Sequence, residues 1–229
     1  VNAVPTDSKP VQKQWKGQFA FPDQGITFSN EFDGARLNGL VQNNDSTYTL
    51  LITSENTPIN TSPWYAFKVW GKRPMTIDVW LTYQADNKHR YYPKLSHDGV
   101  HWTALDSLRY VEIGKGEKAF GPGSLPEKVK MRLEVGPDTL WVAGQELENS
   151  ARVNAWMDSI SQKKFVTKNT IGKSREGRNL NLLSIGDTDS KNMIMIISRQ
   201  HPPEVTGYLT MKSFVETLSS NTKLAKKFR

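Results

Sequence analysis

Cysteine is absent from the 229 residues, which excludes disulfide staples and thiolate metal sites and leaves any metal to His, Asp or Glu. No apolar stretch approaches the ~20 residues of a membrane helix, and the opening VNAVPTDSKPVQKQ lacks the apolar core of a signal peptide. A membrane partner is therefore not expected. The chain begins at Val rather than Met, which points to trimming, either of a leader or at an arbitrary boundary; a periplasmic or secreted location is expected ahead of a cytoplasmic one. Internal repeats and low-complexity segments are also absent.

What is present is an ordinary globular composition, 37% hydrophobic and 23% charged. The net charge of +7 is unevenly spread: residues 1–150 carry 16 basic and 17 acidic side chains, and residues 151–229 carry 14 and 6. Such a basic segment can attract an acidic ligand or nucleic acid, or it can have its balancing acids elsewhere. No basic patch with interleaved aromatics supports nucleic acid, and the Lys223, Lys226, Lys227, Arg229 cluster reads as a solvated helix face with Leu224 and Phe228 as its apolar positions.

The pattern divides near residue 149. Before it, short β-rich runs such as STYTLLITS, WYAFKVWGK and MTIDVWLTY are broken by Gly, Pro, Asn and Asp, and Ile77, Val79, Leu81 and Tyr83 alternate with polar or amphipathic neighbours. Six of the seven Trp lie in this half, enough bulk for a two-sheet core. An all-β sandwich over residues 1–146 is expected. After a linker around 144–150, Asn149-Ser150 offers capping side chains for a helix whose Val153, Trp156, Met157 and Ile160 share one face. FVTKNTIG and NLNLLSIG read as strands joined by a Lys-Ser-Arg-Glu-Gly-Arg turn, and Asn192 to Ser198 as a third strand buried on both faces. Pro202 and Pro203 suit the first turn of a helix that continues to Ser219. Residues 150–229 are thus expected to form an α/β domain.

His201 and Glu204 stand where the third apolar run turns into that helix, the place where open α/β sheets hold ligands. A spacing of three lets an imidazole and a carboxylate share one centre. The pair alone is read more readily as polar groups at a helix start, Glu204 being favoured there by the helix dipole. His97 and His101 in SHDGVHW imitate a metal pair, but Asp98-Gly99 signals a hairpin turn instead. Gly172-Lys173-Ser174 fails as a phosphate loop, because Thr167 occupies the first glycine position.

The order GKSREGRNLNLLSIG, MIMIISRQHPPE and EVTGYLTMKSFVETL resembles the opening of the zinc metallocarboxypeptidases of the carboxypeptidase A-like superfamily. The nearest branch is the cytosolic carboxypeptidase-like one, with Arg199-Gln200-His201-Pro202-Pro203-Glu204 in place of Arg-x-His-Pro-Gly-Glu. That branch places a β-sandwich first, and SPWYAFKVWG and YYPKLSHDGVHW look similar. The resemblance implies one Zn2+, with His201 and Glu204 as its first two ligands. The third ligand, a histidine, and the general-base glutamate are implied beyond Arg229, so Glu204 is not the base. Arg199 either reaches a substrate carboxylate or braces Glu204, and the Arg175, Glu176, Arg178 turn is architectural. The implied activity is hydrolysis of the C-terminal residue of peptides or proteins by a zinc-activated water. Acidic C-terminal residues are the expected preference, and residues 1–229 alone are expected to be inactive. The rival is a non-catalytic β-sandwich that binds carbohydrate or protein, fused to a degenerate peptidase domain, for which the Ser-x-Asp-Gly-x-x-Trp segment is the cue.

Overall fold

A computed structural model describes residues 14–53, 62–84, 87–117, 124–187 and 189–229. The chain is mostly β and separates into two compact units, Val1–Leu147 and Glu148–Arg229. Among the described residues no helix is long and apolar enough to cross a membrane.

Among its described residues the first unit contains two sheets. One runs in the order β1 (Gln18–Phe21), β2 (Ile26–Ser29), β5 (Ala66–Gly71), β11 (Leu140–Ala143), β7 (Lys94–Ser96), β8 (Thr103–Ala104). The other runs β3 (Gly39–Asn44), β4 (Thr47–Ile52), β6 (Met75–Tyr83), β10 (Ser124–Val135), β9 (Tyr110–Glu117). The alternation in β6 does what period two requires: Ile77, Val79 and Leu81 are buried, while Asp78 and Trp80 face the other side. Their buried sides meet Phe28, Phe67 and Val69 of the first sheet and Tyr48, Leu50, Met131 and Leu133 of their own in one core. Among the described residues all strand pairs are antiparallel except β4 with β6, which align in parallel from Thr47 opposite Asp78 to Ile52 opposite Tyr83. FAFPDQGITFSN folds as a hairpin, because Gly25 takes φ 68° and its N–H returns to the Pro22 carbonyl at 3.2 Å.

One polar residue inside this unit has a measurable consequence. His89 is 2% exposed, its Nδ1 lies 2.6 Å from the Tyr83 hydroxyl, and its Nε2 has no partner among the described residues. The rings of Tyr65, Tyr83 and Tyr110 surround it. Burial disfavours the imidazolium and pushes the pKa down to about 4 from 6.5. The folded state therefore binds fewer protons than the unfolded chain between those values, so His89 contributes its full stability above about pH 6.5 and loses it as pH falls toward 4. The expected loss from this group is about 3 kcal/mol. Urea unfolding at pH 7 and pH 4.5 checks this: His89→Phe should flatten the pH dependence, and an unchanged slope would assign it to other groups.

The second unit starts with α1 (Ser150–Ile160), whose N-cap Asn149 accepts the Arg152 N–H on its side-chain oxygen at 3.0 Å. Met157 and Ile160 are buried and Trp156 is half-buried, as the helical stripe requires. A bulged antiparallel pair, β12 (Val166–Lys173) and β13 (Asn179–Ile185), is followed by α2 (Val205–Leu218) and α3 (Lys223–Phe228). Ile160, Val166 and Val215 form the buried centre, with Phe165, Leu183, Ile185 and Met211 packed around it.

Three expectations change here. Asn192 to Ser198 is not a strand: it has no ladder partner among the described residues, and Met193 and Met195 are 90% and 75% exposed. Apolarity states that a segment is suited to burial and does not name the strand that covers it. The two prolines precede α2 rather than opening it, since the helix begins at Val205. In α3 the buried residue is Ala225, while Leu224 and Phe228 face outward.

Candidate functional site

The site is the six-residue connection from Arg199 to Glu204, which leads directly into α2. Pro202 and Pro203 fix φ and supply no N–H, so the connection cannot build a helical ladder of its own. Its single internal backbone bond runs from the Glu204 N–H to the His201 carbonyl at 3.1 Å. Glu204 occupies the N-cap position of α2 without capping it, because its carboxylate is turned back to His201. Oε1 lies 2.8 Å from Nδ1, and Oε2 accepts the His201 backbone N–H at 3.2 Å. The His201 imidazole, and after it the His201 backbone N–H, hold the Glu204 carboxyl below its ordinary pKa, so it is ionised at neutral pH.

Both side chains are open to solvent, 74% for His201 and 51% for Glu204. Ile197, Ser198, Arg199, Gln200, Glu204, Thr206 and Gly207 line an adjoining concavity of about 430 Å³. An imidazole nitrogen and an ionised carboxylate oxygen that already approach each other suit zinc, whose tetrahedral ligand atoms sit about 3.3 Å apart for bonds of ~2.0 Å. The pair supplies two donors only. No cluster of three or more metal-ligating residues occurs among the described residues.

Arg199 does not reach toward Glu204. Its Nε donates to the Pro202 carbonyl at 3.0 Å and its Nη1 to the Glu148 carbonyl. Its backbone takes φ 51°, the one positive value among described non-glycine residues. That conformation costs a non-glycine residue about 1–2 kcal/mol and persists where its surroundings hold it. Half-buried, the guanidinium is a poorer site for charge than in water, and the Glu148 carboxylate opposes that loss. The acceptors of Arg199 are thus backbone carbonyls and not the Glu204 carboxylate that the sequence suggested it would brace.

Tyr208, in the first turn of α2, is not among the residues singled out from the sequence. It lies one turn after Glu204, is 3% exposed, and its hydroxyl has no hydrogen-bond partner among the described residues. Burial, reinforced by Glu148, pushes that hydroxyl up to about 12, so it stays protonated. The i, i+4 relation to Glu204 was the available signal.

The other sequence candidates belong to turns. Asp98 accepts the Val100 and His101 N–H groups on Oδ1 at 2.7 and 2.8 Å, and its Oδ2 meets His101 Nδ1 at 2.6 Å. Gly99, at φ 70°, lies against the Trp141 ring, where an added Cβ would come within 3.2 Å, and Trp102 Nε1 donates to the Gly99 carbonyl. This is a packed hairpin turn, with His97 exposed beside it. Arg178 and Glu176 pair at 3.0 Å within the turn between β12 and β13.

Comparison with known proteins bears on both units. A family described as zinc carboxypeptidase matches residues 153–229, a third of the chain that contains both His201 and Glu204. No curated protein matches. Among solved structures, a metallo-carboxypeptidase from Burkholderia cenocepacia is similar over 86% of this chain and 50% of its own, with TM-score 0.67 and 19% identity. A metallo-carboxypeptidase from Pseudomonas aeruginosa, in complex with (2-guanidinoethylmercapto)succinic acid, is similar over the same shares, with TM-score 0.62 and 19% identity. At these identities the likeness is one of fold. The chain spans about half the length of the structures it matches.

Proposed function

We propose that the chain is the N-terminal portion of a zinc-dependent metallocarboxypeptidase, with a β-sandwich over residues 1–146 and the first part of an α/β catalytic domain over 150–229. The observation that carries this reading is the 2.8 Å approach of His201 Nδ1 to Glu204 Oε1 inside the stretch matched by the zinc carboxypeptidase family. The Arg-Gln-His-Pro-Pro-Glu segment and the preceding β unit favour the cytosolic carboxypeptidase-like branch. Peptide or protein C-termini are the substrates.

His201 and Glu204 would hold the zinc, and an imidazole from beyond Arg229 would complete the set. When bound, the metal polarises the scissile carbonyl and lowers the pKa of a water to the neutral range. The chain's own residues set the geometry. The bond from the His201 N–H to Oε2 fixes the rotation of the Glu204 carboxylate and turns Oε1 to the imidazole. With both oxygens so engaged, Glu204 is an anchor, and proton transfer to the leaving amine falls to a separate carboxylate. The concavity beside Glu204 offers room for the end of a peptide. The succinic acid derivative held by the Pseudomonas aeruginosa relative is a carboxylate-bearing molecule, in keeping with recognition of a free C-terminus. The basic excess of residues 151–229 supports a preference for acidic C-terminal residues.

The test is a pair of peptides, one with a free C-terminus and one amidated, given to the full-length protein. Release of the last residue from the free acid alone, abolished by a chelator and restored by zinc, is expected, with Glu-ended peptides cut faster than Leu-ended ones. Residues 1–229 alone should release nothing. Equal cleavage of the amidated peptide, or indifference to the chelator, would overturn the assignment.

A further inference from the structure

Arg199 sits two residues before the proposed metal pair, and its contacts are unusual for an exposed loop. The connection it opens contains two consecutive prolines, so two of its backbone donors are missing and only the Glu204 N–H closes the turn from within. The Pro202 carbonyl, midway between His201 and Glu204, takes its hydrogen bond from Arg199 Nε. Nη1 of the same guanidinium donates to the Glu148 carbonyl, immediately before the Asn149 cap of α1. One planar group thus joins the centre of the turn to the residue before the cap of α1, 51 positions ahead of Arg199. Its backbone is held at φ 51°, in the left-handed region, where the apolar run ends.

We propose that Arg199 is a positioning residue, which holds the His201–Glu204 turn in metal-binding register by tying the Pro202 carbonyl to the Glu148 carbonyl. This rests on the zinc-binding reading above. The planar fork matters more than the charge: two acceptors at fixed directions are served by one guanidinium, whereas an ammonium on a flexible stem holds them poorly. Nε and Nη1 are both committed to backbone carbonyls and the side chain is half-buried, which suits a brace.

The test is the zinc affinity of the full-length protein, measured by chelator competition, for Arg199→Lys, Arg199→Gly and His201→Ala beside the unaltered protein. Arg199→Lys keeps the charge and loses the fork, and Arg199→Gly frees the φ angle and loses the brace. Both should weaken zinc binding by about 10- to 100-fold, the range for groups that orient metal ligands, with KM for substrate unchanged in the zinc-saturated enzyme. Should Arg199→Gly fail to fold, Arg199→Lys decides. If both variants bind zinc within about twofold of the unaltered protein while His201→Ala does not bind, the positioning role is wrong and the metal site stands. If the unaltered protein takes up no zinc, the metal reading fails and the positioning role fails with it.

Discussion

Replacing His201 with alanine is expected to weaken zinc binding by the full-length protein on the order of 10²- to 10³-fold. Four-ligand structural zinc sites bind with about 10–16 kcal/mol, roughly 2.5–4 kcal/mol per ligand, and about 1.4 kcal/mol is tenfold. The substitution also removes the Nδ1 partner that lowers the Glu204 pKa and turns its carboxylate. Both effects act in one direction. Peptidase activity at limiting zinc should fall in parallel with affinity. His101→Ala is the matched control: it too removes an exposed imidazole bonded to a carboxylate three residues away, but within the hairpin turn between β7 and β8, and it should leave zinc affinity unchanged. Equal loss in both variants, or none in His201→Ala, would mean that the 201–204 pair is not the anchor.

The largest stability effect is expected from Phe28→Ala. Phe28 is fully buried, and its ring lies 5.2 Å from that of Tyr48, 6.1 Å from that of Phe67 and 6.4 Å from that of Phe21. It stands at the shared core of both sheets, so truncation leaves a cavity that neither sheet can close by moving alone. A loss of about 3–5 kcal/mol follows. Urea unfolding followed by tryptophan fluorescence reads it directly, because six of the seven tryptophans lie in the first unit. A shift below about 1 kcal/mol would mean that the two sheets do not share this core.

What was legible in the sequence was what is local. The alternation of β6, the stripe and cap of α1 and the Asp98-Gly99 turn each lie within a dozen residues, and each took the expected form. The approach of His201 to Glu204 was legible for the same reason, since three residues separate them. The rest depends on partners distant in sequence. The parallel pairing of β4 with β6 joins Thr47 to Asp78, and nothing in either strand announces its direction. Arg199 finds its acceptor at Glu148, 51 residues away, so its role could not be decided from its neighbours. His89 follows a polar stretch yet is buried, because the tyrosines around it come from three different places in the chain. For Asn192 to Ser198 the composition specified burial, but no described strand pairs with it.

The convergence of His201 and Glu204 on one metal is tested most directly by diffraction from crystals of the full-length protein at wavelengths on either side of the zinc absorption edge. A single anomalous peak is expected within about 2.0–2.2 Å of both His201 Nδ1 and a Glu204 carboxylate oxygen, with a further imidazole from beyond Arg229 in contact. A peak bound elsewhere, or a zinc-loaded crystal in which these two side chains point apart, would contradict the account.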